Sequence, residues 1–372
     1  MKNINPNNER IKRNYLSFLK EAKQLSEQSL DAISGAIDRF ETYNKHKDFK
    51  AFHHEQAIGF KNYLAKQTNQ KTGKLLSKST VHAVLVNLRN LFEWLYGQPG
   101  FKSKFSYSDA SYFNLSLKDV RIAKATNEKI FPTIDQVKHA IKNMSTNTEI
   151  ELRNRALIAF TLLTAARVGA TASAKIKHVN LIEGKFMQDA RDINTKFSKS
   201  FPTYFFPVGD DMVEIVTDWM KYLKEIKLWG NDEPLFPSTL MQIGETQCFE
   251  VAGIDRKHWS STSPIRAIFR DAFEQVGLNN FNPHSFRDTL VQLGETVCQT
   301  PEQFKAWSQN LGHEGVMTTF MSYGSVASHK QAEIIRNLAV QQGDIPLGTA
   351  ELAKAIAREL QASSYLNRKL VS

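Results

Sequence analysis

Between Arg155 and Arg167 the chain carries an almost unbroken apolar run, Ala156 to Ala166 (ALIAFTLLTAA). A helix of this composition has no polar face to offer water, so other elements must enclose it on every side. It is also too short to cross a bilayer, which takes about 20 apolar residues. What remains is a buried core helix with a sizeable domain arranged around it. With 372 residues the chain is long enough for two or three domains, since single cores rarely grow beyond about 250.

Charge divides the chain unevenly. Residues 1–125 hold 21 Lys and Arg against 11 Asp and Glu, whereas the remainder is balanced at 27 against 27, so the net charge of +10 belongs to the first third. A polyanionic partner is the simplest explanation, because each phosphate neutralised releases counterions and adds affinity without reading sequence. A solvated basic surface that aids solubility is the ordinary alternative. Met1 to Arg13 is polar with no apolar stretch, so no secretory leader is expected. Cys248 and Cys298 lie far apart and lack metal-ligand spacing, which fits a reducing compartment and argues against a disulfide framework or a zinc site.

The first third reads as helical. Val81, Val84, Leu85, Leu88, Leu91, Phe92 and Leu95 mark one buried helix face, with Ser79 as N-cap and Gly97 as stop. Weaker periodicity runs through Tyr15–Leu25, Leu30–Tyr43 and Glu55–Lys66. The segment QTNQKTGKLLSK, Gln67 to Lys78, reads as a loop offering Lys71, Lys74 and Lys78 as phosphate contacts. Periodicity fades after Gly97, and residues 115–130 read as an interdomain linker. Thr133, with Gln136 three residues on, then opens a new helix through a capping box. Beyond the apolar helix lie β-rich runs within Lys185–Val208, notably FPTYFFPV. Helices follow at Val213–Lys227, Ser263–Val276, Pro283–Val297 and Pro301–Leu311.

Four features of the second part can carry chemistry. Arg167 follows the apolar helix directly. INTKFSKSFPTYFFPV offers Lys196 and Lys199 on a hairpin-like segment. In NPHSFRDT, His284 and Arg287 are three apart and share a helix face. LGHEGVMTTFMSYG brings His313 and then Tyr323. Taken singly, each has an ordinary structural explanation. Together, two arginines can clamp the nonbridging oxygens of a phosphodiester, where negative charge builds in the transition state. A phenol with a free pKa of about 10 needs a base and a cationic surround to attack phosphorus. His284 or His313 can supply that base or a hydrogen bond to phosphate, and a lysine can protonate a departing oxygen. The sequence offers no carboxylate cluster for a metal and no phosphate-binding Gly-x-x-x-x-Gly-Lys loop, so neither a metal nor any other cofactor is expected.

The ordered set Arg167, hairpin lysine, His284-x-x-Arg287, Leu311-Gly312-His313 and Tyr323 resembles the tyrosine recombinase (phage integrase) family, over about Ile130 to Leu338. The resemblance implies a multidomain α and α+β protein. An all-helical N-terminal core-binding domain (1–125) would be followed by a mostly helical catalytic domain with a small antiparallel sheet (126–345) and a C-terminal helical tail (346–372). It implies that the two domains clamp double-stranded DNA and that a homotetramer forms on synapsed sites, with Val326–Leu338 docking on a neighbour. It also implies a bacterial cytoplasmic, nucleoid-associated enzyme with no membrane partner. The implied roles are Arg167 and Arg287 on the scissile phosphate, His284 as base, His313 as hydrogen-bond donor, Tyr323 as nucleophile, and Lys199 or Lys196 as general acid. A type IB topoisomerase-like enzyme or a resolvase would use the same nucleophile, and a non-catalytic DNA-binding relative would keep only the scaffold. Two positions depart from the family pattern. Ala170 stands where an acidic residue is usual. Ten residues separate His313 from Tyr323 where nine is common, and one extra helical residue turns a side chain by about 100°.

Overall fold

The structure is a computed structural model, which describes residues 4–70, 72–125, 130–195, 198–244 and 247–313. The chain separates into two compact units, Met1–Thr126 and Asn127–Ser372. The tail expected at 346–372 lies outside the described residues.

The first unit is built on α1 (Pro6–Glu21), α2 (Glu27–Tyr43), α3 (His54–Leu64), α4 (Lys78–Tyr96) and α5 (Leu117–Lys124), with a 3-10 turn at Tyr107–Phe113 before α5. Every apolar position that sets the period of α4 is buried. They meet an aromatic cluster in which Phe40, Phe60, Phe92 and Phe113 are fully buried and Phe52 stacks on Phe92 at 3.9 Å. Two expectations need correcting. The α4 cap is Ser77, not Ser79: the Ser77 hydroxyl accepts the Thr80 N–H at 3.2 Å, which carries Lys78 into the helix. Residues 115–130 are not all linker, since Ser116 caps α5 and Lys78 pairs with Asp119 at 2.8 Å. No α5 residue is fully buried and Leu117 is 80% exposed, so its burial pattern was too weak to read. Within the loop before α4, the Asn69 N–H bonds the Lys74 carbonyl at 2.8 Å.

The second unit surrounds α7 (Glu149–Thr164), in which every residue from Ala156 to Thr164 is buried. Packed about it are α6 (Ile134–Lys142), α9 (Asp210–Lys221), α10 (Ser263–Glu274) and α11 (Ser285–Val297). The capping box at Thr133 and Gln136 is formed. Arg153, 1% exposed, donates to the Pro237 carbonyl at 3.0 Å and stacks on Trp259 at 4.7 Å. It thereby ties α7 to the chain leading into β4 (Thr239–Ile243), which pairs with β5 (Phe249–Ile254). A three-stranded antiparallel sheet, β1 (Val179–Asn180), β2 (Lys185–Gln188) and β3 (Phe201–Tyr204), has Phe186 opposite Thr203. β3 is shorter than the β-rich run, because Phe206 and Val208 turn into the core and the Phe206 N–H reaches the Leu163 carbonyl. Among the described residues, no helix is long and apolar enough to cross a membrane.

Candidate active site

The apolar helix delivers the first arginine by the way it stops. Ala165 adopts a left-handed backbone (φ 52°), a conformation that costs a non-glycine residue roughly 1–2 kcal/mol. Its N–H still bonds the Thr161 carbonyl. The turn leaves Arg167 extended, as the residue before the short helix α8 (Val168–Ser173), with its side chain half-buried. Ala170, where an acid would be usual, is 1% exposed on α8.

Arg287 is the hub. It is 3% exposed and rises from α11 to donate through Nη1 to the Ala165 carbonyl at 2.7 Å, and through Nη2 to the Leu311 carbonyl. Nη2 also lies 3.1 Å from His313 Nε2. A guanidinium can only donate, so Nε2 accepts and the ring proton sits on Nδ1. The left-handed Ala165 is what turns its carbonyl toward Arg287.

The Leu311-Gly312-His313 sequence is a helix stop with a definite geometry. After α12 (Pro301–Asn310) the Gly312 N–H bonds the Gln309 carbonyl at 2.7 Å and the His313 N–H bonds the Ser308 carbonyl at 3.2 Å. This is the paired-bond Schellman turn, which needs a left-handed residue at its pivot. Gly312 supplies it at φ +70°, and the Phe201 ring of β3 lies against the place a Cβ would take. Glycine is thus required twice, and His313 is set where Arg287 meets it.

His284 continues the helical backbone that carries Arg287 (φ −70°, ψ −30°), and its carbonyl accepts the Arg287 N–H at 3.1 Å. It precedes the first helical residue and is exposed, held by its N–H to Asn282 Oδ1 at 2.9 Å. Its charge still reaches the site. Burial first, and then the charges of Arg287, Arg167 and His284, push the His313 imidazole down to about 4. Those four side chains therefore share one electrostatic environment, with His313 neutral at pH 7. Lys199 is half-buried two residues ahead of β3. Lys74 and Lys78 are exposed in the first unit. Lys71, Lys196 and Tyr323 lie outside the described residues, and so does the ten-residue interval to Tyr323.

Sequence reading missed Asn310. Its Oδ1 accepts the Tyr204 N–H at 2.7 Å, its Nδ2 donates to the Tyr204 carbonyl at 2.8 Å, and the Asn310 backbone carbonyl accepts from Thr203 Oγ1. Asn310 thus imitates a neighbouring strand and fixes β3 to the end of α12. The only signal was a polar residue just before Leu-Gly-His.

Arg287 and a neutral His313, with Arg167 and His284 in electrostatic reach, thus sit in a mostly helical unit with small antiparallel sheets. Residues 131–329, more than half of the chain, match the model of the phage integrase family. The chain belongs to that family. A protein of Caldanaerobacter subterraneus subsp. tengcongensis named as a tyrosine recombinase, TTE1313, is 26% identical over 172 residues. The match takes in 46% of this chain and 53% of that protein, so the chain spans about half the length of the curated relative it matches. The fold is similar to that of a lambda integrase (75–356) dimer bound to a COC′ core site, with a TM-score of 0.59 at 14% identity, over 86% of this chain and 96% of that one. It is similar also to XerH recombinase bound to palindromic difH substrate (TM-score 0.55, 16% identity, 87% and 83% covered). The Tn1549 transposon integrase with transposon right end DNA gives 0.54 at 12% identity, with 88% and 99% covered.

Proposed function

We propose that the chain is a site-specific DNA recombinase that cleaves and rejoins strands through a covalent 3′-phosphotyrosine at Tyr323. The observation that carries this reading is the buried Arg287 guanidinium 3.1 Å from His313 Nε2, with the charges of Arg167 and His284 also felt by that imidazole. Arg167 and Arg287 take the nonbridging oxygens of the scissile phosphate, and His313 donates a hydrogen bond to it. Tyr323 Oη attacks phosphorus while its proton passes to His284. The P–O5′ bond breaks, and the hairpin lysine, Lys199 or Lys196, gives its proton to the departing O5′. Attack by a partner strand's 5′ hydroxyl reverses these transfers and frees the phenol. The phosphotyrosine conserves the bond energy, so the cycle needs neither ATP nor a metal.

On this reading the basic residues 1–125 form the core-binding half of a DNA clamp, with Lys71, Lys74 and Lys78 on the backbone. Residues 126–345 form the catalytic half. The helical tail, 346–372, follows it. Recombination proceeds in a homotetramer on synapsed duplexes, within the bacterial cytoplasm and at the nucleoid. The test is a library of nicked duplexes with a randomised core, incubated with the protein and separated under denaturing conditions. Wild-type protein should form a covalent adduct on a selected sequence and Tyr323→Phe none. Arg167→Ala should form it about 10²–10³ times more slowly while binding is kept. No adduct on any sequence would leave a DNA-binding relative, and cleavage without sequence selection would favour a topoisomerase.

A further inference from the structure

The loop that joins β2 to β3 carries the proposed proton donor, and its two roots are fixed from opposite sides. Toward β3, Ser200 Oγ accepts the Ala190 N–H at 2.9 Å, Phe201 packs on Gly312, and Asn310 holds Tyr204. Toward β2, the fixing group is Asp192. Its carboxylate takes Lys175 Nζ at 2.9 Å and Lys177 Nζ at 2.7 Å, and His178 Nε2 stands 3.4 Å away. Both lysines also face Asp232, at 3.7 and 2.8 Å. His178 Nδ1 accepts the Lys175 N–H at 3.0 Å, so the proton of the neutral ring is on the nitrogen nearest Asp192. A second tether runs from the Asn194 N–H to Ser173 Oγ at 2.9 Å. Beside Asp192, Ile193 is 3% exposed in the core.

The tethers of Asp192 and Asn194 both end on one stretch. Ser173 closes α8, the helix that Arg167 opens, and Lys175, Lys177 and His178 follow it directly. The phosphate-clamping arginine and the proton-donating loop are therefore attached to the same short segment. Three cationic or potentially cationic side chains around one carboxylate are more than surface pairing requires. The Lys177 and Lys175 ammonium groups hold the Asp192 carboxyl far below the usual carboxylate range.

We propose that Asp192 is a positioning residue for the proton-transfer step, holding the β2–β3 loop in register with the Arg167-bearing segment so that the loop lysine meets the departing 5′ oxygen. This rests on the reading of the loop lysine as general acid. Asp192 touches no reacting atom, and its loss acts through the placement of the lysine. Misplacing a catalytic group by about 1 Å costs on the order of 100-fold. Asp192→Asn should therefore cleave the selected duplex about 10- to 100-fold more slowly, with DNA binding unchanged.

The deciding substrate is the same duplex with a 5′-bridging sulfur at the scissile position. A thiolate, with a pKa of about 8.5, leaves without a proton. Asp192→Asn should regain the wild-type rate on it, as should the variant of whichever lysine donates, Lys199→Ala or Lys196→Ala. Arg167→Ala should stay slow on both substrates. Ser173→Ala removes only the second tether, should show the same pattern at smaller amplitude, and decides the matter if Asp192→Asn melts early. An Asp192→Asn defect that persists on the sulfur substrate in a folded protein overturns the proposal, as does the absence of any defect on ordinary DNA. Wild-type adduct formation with neither lysine variant rescued would instead refute the general-acid reading on which the proposal stands.

Discussion

Arg287 and His313 show how much of the site rests on single side chains whose surroundings are remote in sequence. The guanidinium joins the end of α7, the end of α12 and an imidazole, and burial makes those bonds stronger than they would be in water. It also keeps His313 neutral. The folded-state pKa of His313, about 4, lies below the ordinary 6.5. Between these values the unfolded chain binds a proton that the folded chain refuses. The resulting stability is complete above 6.5 and is lost as pH falls through about 4. His178 and His258, also lowered chiefly by burial, act in the same direction. Urea unfolding followed by tryptophan fluorescence, with four of five tryptophans in the second unit, should show lower stability at pH 5 than at pH 7.5. His313→Gln should reduce that difference, and an unaltered difference would refute the assignment. The sequence displayed Arg287 and His313 as candidates, but not the Ala165 and Leu311 carbonyls that hold the arginine. Backbone acceptors leave no mark in residue types.

Among the elements, the Schellman turn after α12 does most to place a functional group. Gly312→Ala would put a methyl group where the Phe201 ring lies and force a side-chain residue into a left-handed conformation, for about 1–2 kcal/mol from the backbone alone. The variant should melt earlier and cleave more slowly. Phe201→Ala combined with Gly312→Ala should recover part of the lost activity by relieving the contact. If the double variant is no more active than Gly312→Ala, the ring is not the obstacle. Local signals made much of this level legible: the α7 run, the α4 period and the Thr133 capping box all rest on neighbours in sequence. The α4 start was misjudged by two residues because Ser77 and Ser79 are both competent caps. Only the backbone path decides which hydroxyl meets a free N–H. α5 went unread because a helix that buries no residue fully has little apolar period to detect.

At the scale of the molecule, the charge division matches the division of the chain into two units. If the first unit tracks a phosphate backbone through residues such as Lys74, Lys74→Ala should weaken binding evenly across DNA sequences. It should also lessen the slope of log affinity against log salt by about 1. A sequence-dependent loss would instead make Lys74 a base reader. Composition alone established the basic first third, and residue order alone established the family resemblance, because both are properties of the chain read along its length. So was the buried helix, since an apolar run that cannot span a bilayer has nowhere to go but a core. Tertiary structure decided what required distant segments to meet. It turned the Ala165 carbonyl onto Arg287 across 122 positions, clamped β3 to Asn310 across 106, and drew Asp192 among Lys175, Lys177 and His178. The physical reason is that hydrogen bonds and charge pairs act over ångströms, and only packing around the apolar helix brings such residues that close.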